Sequence, residues 1–246
     1  MAKRALVFIF GVIVYVLFLF TVLYGIGFVG NIAVPKSIDS GARSPLASTI
    51  LINLLLIALF GIQHSVMARP AFKKQWLRLI PEPAERSIYV LFTSMSLLLL
   101  FWQWRPLPTT VWNFPDGVMN IALTSLFWIG WLCVVGSTFL INHFDLFGLR
   151  QVYLYLRGLE YTPVPFKEPL PYKYVRHPLM LSFLIAFWAT PQMSIGHFQF
   201  AMGMTLFIFI GIALEERDLF KAYGDSYTRY RQQVSMIIPL PKRQKS

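Results

Sequence analysis

The chain has one cysteine in 246 residues, Cys133, so no internal disulfide can form. That thiol falls inside an apolar run, where a small buried hydrophobe is the expected role rather than a nucleophile. Charge is scarce as well: 13% of residues carry it, against 56% that are hydrophobic, which excludes water as the main solvent. Acids are the scarcer sign, 11 against 22 basic residues. No HxxxH, HxxE or CxxC spacing accompanies the four histidines, so no metal site is expected. The sequence also lacks a soluble domain, an internal repeat and a low-complexity segment, and one membrane domain over residues 1–246 is expected. Its first apolar run is too long for a signal-peptide core and has no small-residue cleavage site, so it reads as a retained first span.

Long apolar runs are what the chain does have. A bilayer core about 30 Å thick needs roughly 20 apolar helical residues, and such runs occupy residues 5–29, 46–67, 87–104, 118–141 and 198–214. A sixth, residues 179–190, is shorter and lies between Pro178 and Pro191; a tilted or partly embedded helix that turns tightly into the next is expected there. The runs are continuous rather than alternating, and lipid cannot satisfy backbone polar groups, so helices are favoured over a barrel. The expected fold is all-α: a polytopic transmembrane helical bundle of five or six spans with a cytoplasmic C-terminal helical region.

Cytoplasmic loops carry an excess of Lys and Arg. In a six-span arrangement every basic residue except Lys36, Arg43 and Arg105 falls on one side, as does every acid except Asp39 and Asp116. Both termini are therefore expected in the cytoplasm. The net charge of +11 is spread over four loops beside apolar spans, which suits anionic lipid headgroups and argues against nucleic acid.

The longest polar insertion, residues 142–177, contains Pro163, Pro165, Pro169 and Pro171, so its second half is expected to be extended or turning. Its first half, residues 144–156, is rich in Phe, Leu and Tyr and suits a helix lying in the interface. The last span can continue to Tyr223, stop at Gly224 as an αL cap and restart behind Asp225 or Ser226. Tyr227, Tyr230, Arg231 and Val234 then share one face. Three histidines, His64, His143 and His177, map to cytoplasmic ends of different spans. Glu215, Glu216 and Asp218 come where the last run meets the headgroup layer, where a helix C-terminus would disfavour them. Two readings stay open: pairing with Arg217, Lys221 or Arg176 on a helix that continues, or a cationic ligand held at the membrane surface. Tyr174, Val175, Arg176, His177 and Pro178 lead into the short run, with Pro178 suited to a first helical turn.

The order RHP, helical hairpin, EERDLFKAYGDSYTRY and VSMIIP resembles the isoprenylcysteine carboxyl methyltransferase-like superfamily of membrane methyltransferases. Upstream, QHSVMARPAFK and PEPAERSIYVLFTS resemble its NnrU-like branch, and NHFDLFGLRQVYLYLRG is similar to the bacterial methanethiol S-methyltransferases within it. Met180 and Ser182 stand where lipid-modifying members usually have Tyr and Gly, and Met236 where they often have Arg, which sets this chain apart from them.

The resemblance implies a multi-pass protein of the bacterial inner membrane with S-adenosyl-L-methionine as methyl donor. It also implies a small volatile thiol as acceptor, arriving from the membrane side. The donor combines a sulfonium cation, an amino-acid zwitterion and an aromatic adenine, and calls for acids, a basic or hydroxyl partner and stacking surface. Glu215 or Glu216 suits its cationic or ribose end and Arg231 or Arg176 its carboxylate. Tyr174, Tyr223, Tyr227, His177 and the adjoining Pro178 suit the pocket walls. An apolar site disfavours a thiolate, so a base or positive field is wanted. His143, with Asp145 two residues on and Arg150 nearby, is the leading group. Other acceptors, such as a prenylcysteine, a lipid amine or a larger thiol, stay open, as does a non-enzymatic NnrU-like helper or transporter that carries haem on its histidines. Tags fused to either end should report the cytoplasm; a terminus reached by an impermeant reagent from outside would overturn the six-span arrangement.

Overall fold

The computed structural model describes residues 1–163 and 170–239. The expected turns at Pro165 and Pro169, and the basic residues Lys167, Lys242, Arg243 and Lys245, lie outside the described residues. Helices α1 (Ala2–Gly30), α2 (Leu46–Met67), α3 (Pro70–Trp76) and α4 (Glu85–Gln103) come first, followed by the short strand β1 (Thr110–Asn113). Then come α5 (Val118–Ile141), the one-turn α6 (His143–Leu146), α7 (Leu149–Arg157) and α8 (Pro178–Trp188). Strand β2 (Gln192–Ser194), α9 (Ile195–Tyr223) and α10 (Asp225–Gln233) complete the order. Five helical stretches are long and apolar enough to cross a membrane: Ala2–Gly30, Leu46–Met67, Glu82–Gln103, Val118–Ile141 and Ile195–Tyr223. The sixth, α8, has 11 residues and rises about 16 Å, roughly half a bilayer core. Along α1, Leu6, Ile13, Val16, Phe20 and Leu23 are all more than half exposed, an apolar surface that acyl chains can cover.

The chain divides into two compact units, each assembled from separated segments: Met1–Val111, Asn142–Val164 and Ser194–Phe200 form the first, and Trp112–Ile141, Pro165–Met193 and Ala201–Ser246 the second. In the first unit α1 packs on α4 and α7, and α2 packs on α4. Gly11 makes the approach of α7 possible, since a Cβ there would lie 2.6 Å from the side chain of Val152, itself fully buried. Gly148 starts α7 at φ 88° with its missing Cβ against Ser87, so both its conformation and its neighbour require glycine. Phe28 is enclosed by Phe101, Trp104 and Phe200, with ring centroids at 4.8, 6.2 and 6.1 Å. Asn53, fully buried in a mostly apolar helix, donates to the Arg105 carbonyl at 2.9 Å and accepts from the Arg105 amide at 2.9 Å, which ties α2 to the chain leaving α4. The first turn of α9 is pinned to the same connection, with the amides of Ile195 and Gly196 donating to the carbonyls of Thr109 and Leu107 at 2.8 and 3.0 Å.

In the second unit α8 packs along α5. Pro178 occupies its first turn and Ser182 donates to the Pro178 carbonyl at 2.8 Å, while Trp188 near its end donates to Thr205 of α9 at 2.9 Å. Trp131 meets Phe127, Phe183 and Phe187 edge to face at 6.0 to 6.3 Å. The expectation that α9 runs on to Tyr223 holds. Gly224 has positive φ but ψ −122°, so the break is not the expected αL cap; the backbone still needs a residue without Cβ. Cys133 also differs from expectation. It is exposed on α5, because a span needs no water-free interior to hold an apolar side chain when lipid covers its outer face.

Close approach of α5 and α8 rests on Gly130, where a Cβ would sit 2.8 Å from the Ala186 amide nitrogen. Small residues substitute for hydrophobic drive in helix association within lipid. Gly130→Ala should destabilise the protein by about 1–3 kcal/mol through this overpacking. Gly136→Ala, on the same helix where a Cβ meets nothing within 4 Å, should not; thermal unfolding in detergent compares the two.

Candidate functional site

The RHP segment and the chain's C-terminal part assemble in the second unit. Val175 makes an isolated parallel bridge with Ser235, the Arg176 amide donates to the Ser235 carbonyl at 2.8 Å and the His177 amide to the Met236 carbonyl at 3.2 Å. His177 is the N-terminal boundary residue of α8, with buried Pro178 next. From α9, Glu216 reaches this segment. Its Oε1 accepts from Arg176 Nε at 2.7 Å and lies 2.5 Å from Nη2, and His177 Nε2 stands 3.2 Å away. The other ring nitrogen, Nδ1, is 3.6 Å from Glu215 Oε2, so one imidazole lies between two carboxylates. The sequence left pairing or a ligand open for these acids: Glu216 is paired, on a helix that continues two turns beyond it.

Helix α10 brings the remaining groups. Tyr227 is buried beside Glu216 and Arg176, both of which interact with its hydroxyl, although none of the described residues meets it at full hydrogen-bond geometry. Burial, then Glu216, push this phenol up to about 12, so it stays a neutral donor. Arg231 is 62% exposed with Nε 4.0 Å from Glu216 Oε2. The two arginines held open for one role thus differ sharply: the Arg176 side chain is only 5% exposed. Tyr174 and Tyr223 are at least half exposed and stand at the outside of the cluster. Tyr172 escaped sequence reading; its carbonyl accepts from Tyr230 at 2.8 Å, and burial with nearby Glu215 pushes its phenol up to about 12.

The residues 142–163 lie in the first unit, and the three singled out there divide. Asn142 caps α6, its side chain accepting from the Asp145 amide at 3.2 Å. His143 is buried, its Nε2 2.7 Å from the Tyr15 hydroxyl, with Phe144 and Phe147 edge to face at 5.4 and 5.0 Å. Asp145 instead receives Arg150 at 2.9 Å and the Tyr161 hydroxyl at 3.2 Å. Arg150 also donates to the Thr162 carbonyl at 2.8 Å and lies over the Tyr161 ring. The hydroxyl of Tyr15, rather than the Asp145 carboxylate, is therefore what orients the imidazole. Desolvation lowers the His143 pKa below its ordinary value and raises that of Tyr161, helped by Asp145. Tyr15 was missed in the sequence; its signal was a hydroxyl inside an apolar span, one of three there with Thr21 and Tyr24.

The second unit therefore holds acids, two arginines, an imidazole and a buried phenol within one cluster beside a membrane-length helix. Such a set can hold a ligand that is cationic at one end and anionic at another. These are the features of a polytopic helical membrane protein with a polar site at the end of its spans. The profile of the NnrU protein family matches residues 52–221, and the chain belongs to that family. It is 54% identical over 236 residues to methanethiol S-methyltransferase 1 of Bradyrhizobium diazoefficiens, covering 96% of this chain and 83% of the relative. It is 50% identical over 241 residues to methanethiol S-methyltransferase of Mycobacterium tuberculosis, covering 98% and 99%. With the enzyme of the same name from Crocosphaera subtropica it shares 52% over 237 residues, 96% and 93% of the two chains. No solved structure matches the chain.

Proposed function

We propose that this protein methylates methanethiol to dimethyl sulfide with S-adenosylmethionine as donor, and that the donor binds at the Glu216, His177, Tyr227 and Arg231 cluster on the cytoplasmic face of the bacterial inner membrane. Relatives at 50 to 54% identity that carry this activity in their names support the acceptor. The observation that carries the donor site is the convergence of Glu216, His177, Arg231 and the buried Tyr227 phenol, whose hydroxyl meets none of the described residues at full hydrogen-bond geometry. Buried polar groups usually reach full hydrogen-bond geometry, and a bound ligand would complete it here. The donor set fits in kind: a carboxylate for a cation, an exposed arginine for a carboxylate, phenols and an imidazole for an aromatic face.

When bound, S-adenosylmethionine supplies an electrophilic methyl group on a sulfonium. The chain's own groups do the rest. Glu216 holds negative charge toward the cation through Oε2, while its Oε1 is engaged by Arg176 and His177. Arg231 offers its fork to the donor carboxylate. His143 accepts the thiol proton, because burial keeps its imidazole neutral below the ordinary value near 6.5. Methyl transfer from sulfonium to thiolate turns two opposite charges into neutral products, so a water-poor site favours it. Asp145 and Arg150, paired to each other, hold the turn on which His143 stands.

Purified protein given methanethiol and methyl-labelled S-adenosylmethionine should release labelled dimethyl sulfide into the headspace; labelled product from a farnesylcysteine analogue alone would reverse the acceptor assignment. Tyr227→Phe separates binding from folding. Removing this hydroxyl should leave the protein folded, yet weaken the donor by about 0.5–1.5 kcal/mol, roughly 2- to 12-fold in affinity. Calorimetry that finds wild-type affinity in this variant would remove Tyr227 from the site.

The His143 assignment has its own test. Positioned bases contribute roughly 10² to 10⁴ in rate, so His143→Ala should lose at least the lower amount in single turnover while still binding the donor. In the wild type, activity should be full above the imidazole pKa and fall as pH drops through it, at a midpoint below about 6.5. Wild-type rates in the alanine variant would show that the thiolate comes from solution.

A further inference from the structure

Helix α10 poses a problem of position. It has nine residues and buries only Tyr227, too short to be stable alone in water and too thinly packed to fix its own place. It nevertheless presents both Tyr227 and Arg231. What holds it is a set of bonds at its C-terminal end. Arg176 Nη1 donates to the carbonyls of Val234 and Arg231 at 2.6 and 3.3 Å. The Arg176 and His177 amides donate to the carbonyls of Ser235 and Met236, and the Tyr230 hydroxyl donates to the Tyr172 carbonyl at 2.8 Å. The other edge of the same guanidinium, Nε and Nη2, is engaged by Glu216 Oε1.

We propose that Arg176 is a positioning residue, a latch that fastens the C-terminal end of α10 to the RHP segment and so delivers Tyr227 and Arg231 to the donor site. It does not bind the donor itself. This rests on the donor site proposed above. One planar cation meets a carboxylate on one edge and two backbone carbonyls on another, a geometry that a lysine ammonium cannot reproduce. The carbonyls it takes are among those that a helix C-terminus leaves without intrahelical partners, so the latch satisfies them as it fixes the helix. The two arginines of the cluster differ in setting: Arg176 is buried among fixed partners, and Arg231 is mostly exposed.

The test uses full-length protein in lipid nanodiscs, with amide exchange followed by mass spectrometry and donor kinetics measured alongside. Arg176→Lys should speed exchange of the amides at 176 and 177 by at least tenfold and raise the KM for S-adenosylmethionine about tenfold, with kcat changed less than threefold. Tyr230→Phe removes the bond to the Tyr172 carbonyl while keeping the ring that packs against Tyr227 at 6.1 Å. It should move exchange and KM in the same direction by a smaller factor, and it keeps the test decisive should Arg176→Lys fail to fold. Wild-type exchange in Arg176→Lys together with lost donor affinity would make Arg176 a direct ligand and overturn the proposal. Wild-type exchange and KM in Tyr230→Phe would overturn it as well. The exchange arm needs no turnover, so a protein that failed to methylate methanethiol would still reveal whether the latch exists.

Discussion

An arginine buried at the end of a membrane span has to be surrounded by acceptors, and the C-terminal region is organised around that requirement. Removing one partner from a buried ion pair costs about 3–5 kcal/mol, so the environment of Arg176 must be complete. The carboxylate of Glu216 and the carbonyls of residues 231 and 234 complete it. Those partners come from two stretches of chain: the extension of α9 and the end of α10. Satisfying one cation therefore brings together the RHP turn, the long helix and the short one. His177 comes with it, held between Glu215 and Glu216, and Tyr227 is buried close by.

Much of the fold was legible because lipid makes a strict demand on sequence. Runs of about 20 apolar residues have few alternatives in hydrocarbon, and the five long helices contain the apolar runs read from sequence, only Trp104 falling just beyond its helix. The last run stops being apolar at Leu214, and the expected continuation of α9 to Tyr223 holds, since polar residues prolong a helix into the headgroup layer without interrupting its backbone bonds. The geometry of the break was not legible: Gly224 has ψ −122° rather than an αL cap. Orientation of Cys133 was read wrongly for a related reason: apolarity says that a residue avoids water, and in a membrane that does not separate the interior from the lipid face.

The sites were legible in part. RHP, the paired glutamates and the tyrosine-rich block lie more than 30 residues apart in sequence at their extremes, and the structure joins them in one unit. Composition could suggest which residues carry chemistry, but not that Arg176 would be consumed by backbone carbonyls while Arg231 stayed exposed, because the partners are main-chain atoms that have no residue identity to read. The same holds for His143. Proximity in sequence suggested Asp145, two residues away, yet a helical turn points residues i and i+2 in different directions, and the imidazole meets Tyr15 from a helix 128 positions earlier.

A catalyst for methylating sulfhydryl groups faces a hazard from its own composition, since any cysteine near the donor is a competing acceptor that would inactivate turnover by consuming methyl groups. The protein has one sulfur of that kind, Cys133, and it stands on the outward surface of α5. There a thiol is bathed in acyl chains, where the reactive anion is strongly disfavoured. Sulfur otherwise enters this chain as nine methionine thioethers, which have no proton to lose. On the proposed reading, near-absence of cysteine is self-protection: the chain carries almost none of the functional group it is built to modify.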